Sequence, residues 1–391
     1  GNTAYSNQPA LRAAGALYPG LGALNVGGLQ GGRNVDANGN IKVASIGQDI
    51  NAKDDGQFGI NFKYIAEELN STEFGVYFVN YHAKEPTIAA DLGSYGGLDL
   101  VSIARGACSA ATSGNAACTN VDPTFALTNF GTAAGGLATI DVANAVNARR
   151  EYAEDIRMYG FSFNTTVGDA SVFGELSYRP NLPIGVATTN DLLGDLLLQA
   201  SKLASKDLVN IGGQKVQLGD EIHNVKRVEA FNTSLGTIYN FGPALGFDSL
   251  FGIAELASEH LRGDDLQYTD FNNKNRYYSG RGNNSYVSGG DRDDQVNKNA
   301  YGYTLVLSGT WNDVYAGVNV SPYAVYKDDF EGNSYQTGNF IEGRKAYTLG
   351  VKASYLNSLE AELAYTEFFG AGQNNGSRDR DNIGVNVKYS F

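Results

Sequence analysis

Five short turns and five long loops alternate without exception along this chain, and that alternation constrains the fold more than any other feature. Between them lie segments of strand-like pattern near 57–66, 72–83, 155–167, 170–179, 227–241, 247–261, 300–311, 314–327, 345–356 and 359–369, and the closing DNIGVNVKYSF, about eleven in all. In the closing segment Ile383, Val385, Val387, Tyr389 and Phe391 alternate with small or polar residues. That is the period of a strand with one apolar and one polar face. The short connections are Leu69-Asn70-Ser71, Gly168-Asp169, Gly242 to Gly246, Asn312-Asp313 and Asn357-Ser358, the residue types that close hairpins. The long ones run near 84–154, 180–226, 262–299, 328–344 and 370–380. A soluble sandwich has no reason to collect every long loop at one end. An outer-membrane barrel does, with short periplasmic turns and long external loops.

The expected fold is therefore all-β: a transmembrane antiparallel up-and-down β-barrel over 57–391, with an amphipathic helix in one extracellular loop. Each segment has at least the ~9–11 residues that cross a bilayer at a tilt. Composition agrees, with 24 Tyr, 19 Phe and 49 Gly against 8 Pro, a balance that favours strands and turns. No stretch approaches the ~20 apolar residues of a membrane-spanning helix. A net charge of −13 argues against a nucleic-acid partner, which needs a basic surface.

Faces can be read along most strands. Tyr301, Tyr303, Leu305, Leu307 and Trp311 oppose Gly302, Thr304, Ser308 and Thr310; Tyr347, Leu349, Val351, Ala353 and Tyr355 oppose Thr348, Gly350, Lys352 and Ser354. Aromatic residues near strand ends suit girdles at two membrane interfaces. Segments 72–83 and 247–261 are apolar on both faces and cannot be oriented, and Pro322 marks a bulge or a weakly paired position. The polar positions expected to line a pore are Asn61, Lys63, Glu175, Arg179, Lys352, Glu360, Glu362, Asn386 and Lys388. Eleven is odd, whereas bacterial single-chain barrels have even strand numbers. Residues 1–56 are accordingly expected to be an extracellular loop region, with further strands upstream of this chain; the plainer alternative is a miscounted strand.

Several stretches resemble the outer-membrane proteins of domain-of-unknown-function family 1302, found in Pseudomonas-like proteobacteria. They are DDGQFGINFKYIAEELNSTEFGVYFVNYHAKEP (54–86), SYRPNLPI (177–184), TNDLL (189–193) and the tail GVNVKYSF. The resemblance implies the carboxy-terminal part of such a protein, in the outer membrane of a Gram-negative bacterium. It implies a link to uptake of hydrophobic compounds such as lipids, steroids or aromatics, and it brings no catalytic motif.

His82, His223 and His260 stand at unrelated spacings, and no HExxH, CxxC, Walker or GxSxG motif occurs. His82 and His260 fall near external strand ends, where a Ser and an Asn could complete a membrane phospholipase-like site, but no spacing places them together. No enzyme is expected. Cys108 and Cys118 flank a polar stretch and are expected to form a disulfide in an oxidising compartment. No cofactor is expected; a Ca2+ or Mg2+ site on Asp264, Asp265, Asp291, Asp293 and Asp294 is the sharper reading of an acidic loop whose bland reading is a solvated surface. NDLLGDLLLQASKLASKDLV (190–209) has helical spacing, with Asn190 or Asp191 as cap and Gly212-Gly213 beyond its end. Leu192, Leu193, Leu196, Leu197 and Leu203 form its apolar face, which either packs on the rim or captures an apolar solute. Residues 126–148 offer a second apolar patch.

The function expected is an outer-membrane channel for passive uptake of a hydrophobic or amphipathic small molecule. Alternatives are a general diffusion porin or a non-conducting structural or adhesive barrel. The partners expected are outer-membrane lipid and lipopolysaccharide, the solute, and the insertion machinery, which would read Tyr389 and Phe391 as a terminal signal.

Overall fold

The computed structural model describes residues 2–6, 41–93, 146–279, 295–335, 339–356 and 358–390, with single positions at 104, 105, 108, 122, 124, 128 and 129. In chain order the strands are β1 (Asn2–Ser6), β2 (Ile41–Ile46), β3 (Phe58–Ala66), β4 (Thr72–Tyr81), β5 (Thr87–Asp91) and β6 (Asn147–Glu151). Then come β7 (Ile156–Val167), β8 (Ala170–Gly185), β9 (Val209–Ile211), β10 (Gln214–Val216), β11 (Glu221–His223), β12 (Val225–Ala244) and β13 (Phe247–Arg262). The remainder are β14 (Gln267–Thr269), β15 (Asn275–Tyr277), β16 (Asn299–Tyr315), β17 (Val318–Glu331), β18 (Arg344–Tyr355), β19 (Leu359–Gly370) and β20 (Asn382–Tyr389). Among the described residues no helix is long and apolar enough to cross a membrane.

One sheet dominates. Eleven strands lie in the order β20-β19-β18-β17-β16-β13-β12-β8-β7-β4-β3, and every neighbouring pair is antiparallel. β3 and β20 are its two edges. At the tight ends the backbone turns through left-handed residues, Asn70 and Ser71 at φ 55°, and the β16–β17 turn falls at Ala316-Gly317 (φ 43° and 85°), not at the expected Asn312-Asp313, which stays within β16. At the other end the strands run further than alternation indicated, β8 reaching Gly185 and β12 starting at Val225. Register also orients the two ambiguous strands. Val76 of β4 sits between Phe62 and Phe161, and Leu256 of β13 between Leu235 and Tyr303. Pro322 lies opposite Val351 in the β17–β18 ladder, while the β16–β17 pairs pass from Ser308↔Tyr323 to Trp311↔Val320. A residue without an N–H leaves its gap on one side only.

The long connections are built, not merely solvated. With β1 and β2, which precede the wall, their segments form a second sheet, β1-β2-β6-β5-β11, in which β2 and β6 are parallel. Beside it lie the β9–β10 hairpin and two helices, α1 (Thr189–Leu198) and α2 (Ala200–Ala204). Leu92, Val146, Ala187, Leu192, Leu196, Leu203, Val209, Ile211, Val216 and Ile222 pack into one apolar core of this cap. A second cluster, with Ile184, Val228, Leu261, Leu266, Tyr278 and Tyr335, joins the extended ends of β8, β12 and β13 to the loops above them.

The expected single helix is two. Gln199 leaves helical geometry at φ −112°, ψ 8°, and its side-chain amide donates to the carbonyls of Asp195 and Asn210, tying the break to the hairpin. Thr188, not Asn190 or Asp191, is the N-cap, its hydroxyl accepting from the Asp191 N–H at 3.1 Å. Gly212 and Gly213 are not the helix end. They form the two-residue turn between paired Ile211 and Gln214, at φ +56° and +83°, which is glycine's conformation in hairpins. A Cβ on Gly212 would also meet Leu192 Cδ2 at 2.6 Å.

Candidate functional site

Register converts the strand alternation into two continuous faces. On one, Phe62, Val76, Phe161 and Leu176 lie in one row across four strands, and Leu235, Leu256 and Tyr303 in the next. Further along come Leu307, Ala324, Leu349, Tyr365 and Ile383 in a single row. This face is open: Ile383 is 71% and Val385 73% exposed. Apolar patches on soluble monomers rarely exceed a few hundred Å². Here the patch crosses the whole sheet.

Aromatic rows bound the apolar belt. At the loop end Phe58, Phe78, Tyr159, Tyr178 and Phe231 stack in sequence with centroids 4.6–6.3 Å apart. The row continues through Tyr301, Phe330, Tyr303 and Tyr326 at 6.0 Å steps, and then Tyr347 with Tyr365 and Phe369. At the turn end Tyr315, Tyr355 and Tyr389 occupy one row, and Trp311 stacks on Phe247 at 4.4 Å. On β18 the two rows are eight residues apart, Tyr347 to Tyr355. That is about 26 Å along a strand.

The opposite face is polar, and all nine expected pore-lining residues project from it. Lys63 pairs with Glu73 at 2.7 Å. Lys352 is opposite Glu362, and Glu362 opposite Asn386, while Glu360 faces Lys388; Tyr323 donates its hydroxyl to Glu362 at 2.7 Å. Arg179 is held by neutral acceptors from three strands: its Nε donates to Tyr81 Oη at 3.1 Å, and its Nη1 to Asn232 Oδ1 at 2.9 Å and Ser177 Oγ at 3.3 Å.

A residue that alternation did not flag anchors this face. Glu259 is 1% exposed. It accepts from the Ser334 hydroxyl at 2.9 and 3.0 Å, from the Tyr335 N–H at 3.3 Å and from Asn232 Nδ2 at 3.4 Å. A buried carboxylate is tolerated only when hydrogen bonds replace its water. Ser334 and Tyr335 of the 332–343 loop supply three of these four contacts, so the described residues of the loop lie against the polar face. The ring of Phe340 is 3.0 Å from where a Cβ on Gly302 of β16 would sit. Asn339 and Phe340 close a cavity of about 670 Å³ whose walls include Tyr77, Met158, Glu175, Ser177, Arg179 and Asn232.

Leu192, Leu196 and Leu203 are committed to the cap core, and Leu193 and Leu197 are half-buried; none of the five presents an open capture surface. Leu198, which was not singled out, is 73% exposed. Asp264 accepts from the Leu266 N–H and Asp265 pairs with Lys298; Asp291, Asp293 and Asp294 lie outside the described residues. Among the described residues no group of three or more His, Cys, Asp or Glu is placed to hold a metal. Cys108 is buried, and Cys118, its expected partner, lies outside the described residues, as do Phe391 and nearly all of the 126–148 patch. His82 is buried and structural: its Nδ1 accepts from the Asp155 N–H, which leaves Nε2 to donate to the Asp55 carbonyl at 2.8 Å. His223 bonds Glu151 at the cap.

Fold and face pattern together define an all-β protein built on one amphipathic antiparallel wall with a packed cap at one end. The chain belongs to the DUF1302 family, described as proteins of unknown function, whose model matches residues 4–391. No curated protein matches it.

Proposed function

We propose that the eleven-stranded sheet is wall of an outer-membrane β-barrel, and that the barrel is a passive channel for a hydrophobic or amphipathic small molecule. The observation that carries this reading is the open apolar belt between two aromatic rows, backed by a polar face. A bilayer solvates the first and a water-filled lumen the second. At the ~40° strand tilt of such barrels, the ~26 Å between the aromatic rows becomes ~20 Å of height, close to their ~25 Å apolar band. β3 and β20 run in the same direction, since an odd number of antiparallel strands separates them by an even number of reversals. All-antiparallel closure therefore takes an odd number of further strands between these edges.

The solute class is supported by the cavity beneath the 332–343 loop. Its volume falls in the ~300–1,000 Å³ range of small-molecule sites. Phe340, Met158 and Tyr77 offer apolar contact and Arg179 a charge. With the apolar side of the loop helices turned inward to the cap core, solute selection falls to this cavity. Planar-bilayer recording on the intact protein tests the channel: single-channel current is expected, and a silent bilayer containing folded protein rejects it. Liposome uptake of fatty acid against hexose then separates this reading from a general diffusion porin, which would pass the sugar at least as fast.

A further inference from the structure

Ser258, His260 and Asn299 form a hydrogen-bonded relay on the apolar face. Ser258 and His260 are two residues apart on β13, so their side chains share a face, and Asn299 of β16 is the cross-strand partner of His260. His260 Nδ1 is 2.9 Å from Asn299 Oδ1 and His260 Nε2 is 3.0 Å from Ser258 Oγ. The Asn299 oxygen also accepts from Arg262 Nη2 at 2.8 Å. An oxygen that only accepts fixes the tautomer: Nδ1 carries the proton, and Nε2 is free to take one from the serine. This is the geometry of a nucleophile, its general base and the group that orients the base. Strand ladders put it together across a long loop, where sequence spacing gave no sign of it.

The surroundings fit one substrate class. His260 sits edge-to-face on Tyr301 at 5.4 Å, level with the loop-end aromatic row. Directly below, on the same face, a groove of about 640 Å³ is lined by Leu235, Leu256, Ala254, Val172, Tyr303 and Leu305. Leu256 is two residues from Ser258. The Thr233 hydroxyl lies 2.6 Å from Ser258 Oγ; with the serine proton directed at His260 Nε2, Thr233 is the donor of this bond and holds Oγ in place. Ser258 itself is 7% exposed, at the foot of its larger neighbours.

We infer that Ser258, His260 and Asn299 are an esterase triad acting on acyl-ester lipids at the outer face of the wall, a second activity beside the channel. Its lipid-facing position rests on the barrel reading; the triad geometry does not. An acyl chain fills the groove and places its ester carbonyl at interface depth. Ser258 Oγ bonds to the carbonyl carbon as its proton passes to His260 Nε2. The carbon–oxygen bond to the alcohol then breaks, and the alcohol leaves with that proton. Water, deprotonated by His260, adds to the acyl-serine ester; the serine oxygen leaves, is reprotonated, and a fatty acid is released. Ser258 and His260 are the catalytic residues and Asn299 positions the imidazole.

The test uses the full chain folded in detergent micelles. A fluorophosphonate probe followed by peptide mass mapping should modify Ser258, and the micelles should hydrolyse both p-nitrophenyl butyrate and dioleoylphosphatidylcholine. S258A and H260A should each lower hydrolysis about 10³-fold or more. N299A should lower it at least tenfold and N299D restore it, a rescue that a packing role does not predict. No adduct at Ser258, with hydrolysis no faster than that of S258A, overturns the triad. An adduct and butyrate hydrolysis without phosphatidylcholine hydrolysis upholds the triad but overturns the acyl-lipid substrate class, and leaves the barrel reading to the bilayer recording.

Discussion

Asp195 is a carboxylate set into an apolar cap core, 8% exposed on α1. Burial raises its pKa from 3.8 to about 6, opposed by the Gly212 N–H that bonds Oδ2 at 2.8 Å. A raised acid holds its proton in the folded state after the unfolded chain has lost it. Stability from this group is thus full below about pH 4, falls as pH rises to about 6, and is flat above. Asn can still accept from Gly212 but has no charge to desolvate. D195N should therefore match wild type at pH 3.5 and exceed it by roughly 2–3 kcal/mol at pH 8, read from hydrogen exchange at the Gly212 amide. An identical pH profile in the two proteins would contradict the assignment. The residue was visible in the sequence only as one polar position in a leucine-rich run. Its partner comes from a hairpin seventeen residues on, and no helical periodicity reports that.

At the scale of elements, the described residues of the 332–343 loop are pinned from several sides, Asn333 alone bonding Asn297, Gln295 and Glu342. Ser334 and Tyr335 hold it to Glu259, while the Asp329 carboxylate accepts from the Ile341 N–H and Arg344 at its base. S334A leaves a buried carboxylate short of a donor, a loss of about 1.5–3 kcal/mol for a hydrogen bond to a charged group. The contact at Glu259 should then loosen, and single-channel conductance should rise; unchanged conductance would mean that this contact does not narrow the path. The cap has a separate core. L203A, at a side chain with no exposed surface, should cost the cap about 2–5 kcal/mol and leave the wall's melting unchanged by circular dichroism. These elements were the least legible. β9, β10 and β11 are three residues each, and β2 pairs in parallel with β6 across about a hundred residues, so local alternation has too few repeats to register. Wall strands of eight to twenty residues each carry several repeats, and their segments could be read to within a few residues at most ends. The Glu259 anchor and the Ser258 relay became visible only with register, because cross-strand neighbours follow from loop length and pairing together.

Across the whole molecule, the proposed reading makes one wall the boundary between two solvents, and its two faces then predict opposite tolerance. Leu349 and Thr348 are adjacent on β18 and face opposite ways. L349R should cost about 2–4 kcal/mol for folding into vesicles, the penalty of Arg at mid-bilayer, whereas T348R should stay within about 1 kcal/mol because a wet lumen hydrates it. The most direct test places an environment-sensitive fluorophore at single positions 348 to 353 along β18, in liposomes containing nitroxide-labelled lipid. The account predicts strong quenching at 349, 351 and 353 and little at 348, 350 and 352. Equal quenching on both faces, or none on either, would contradict it.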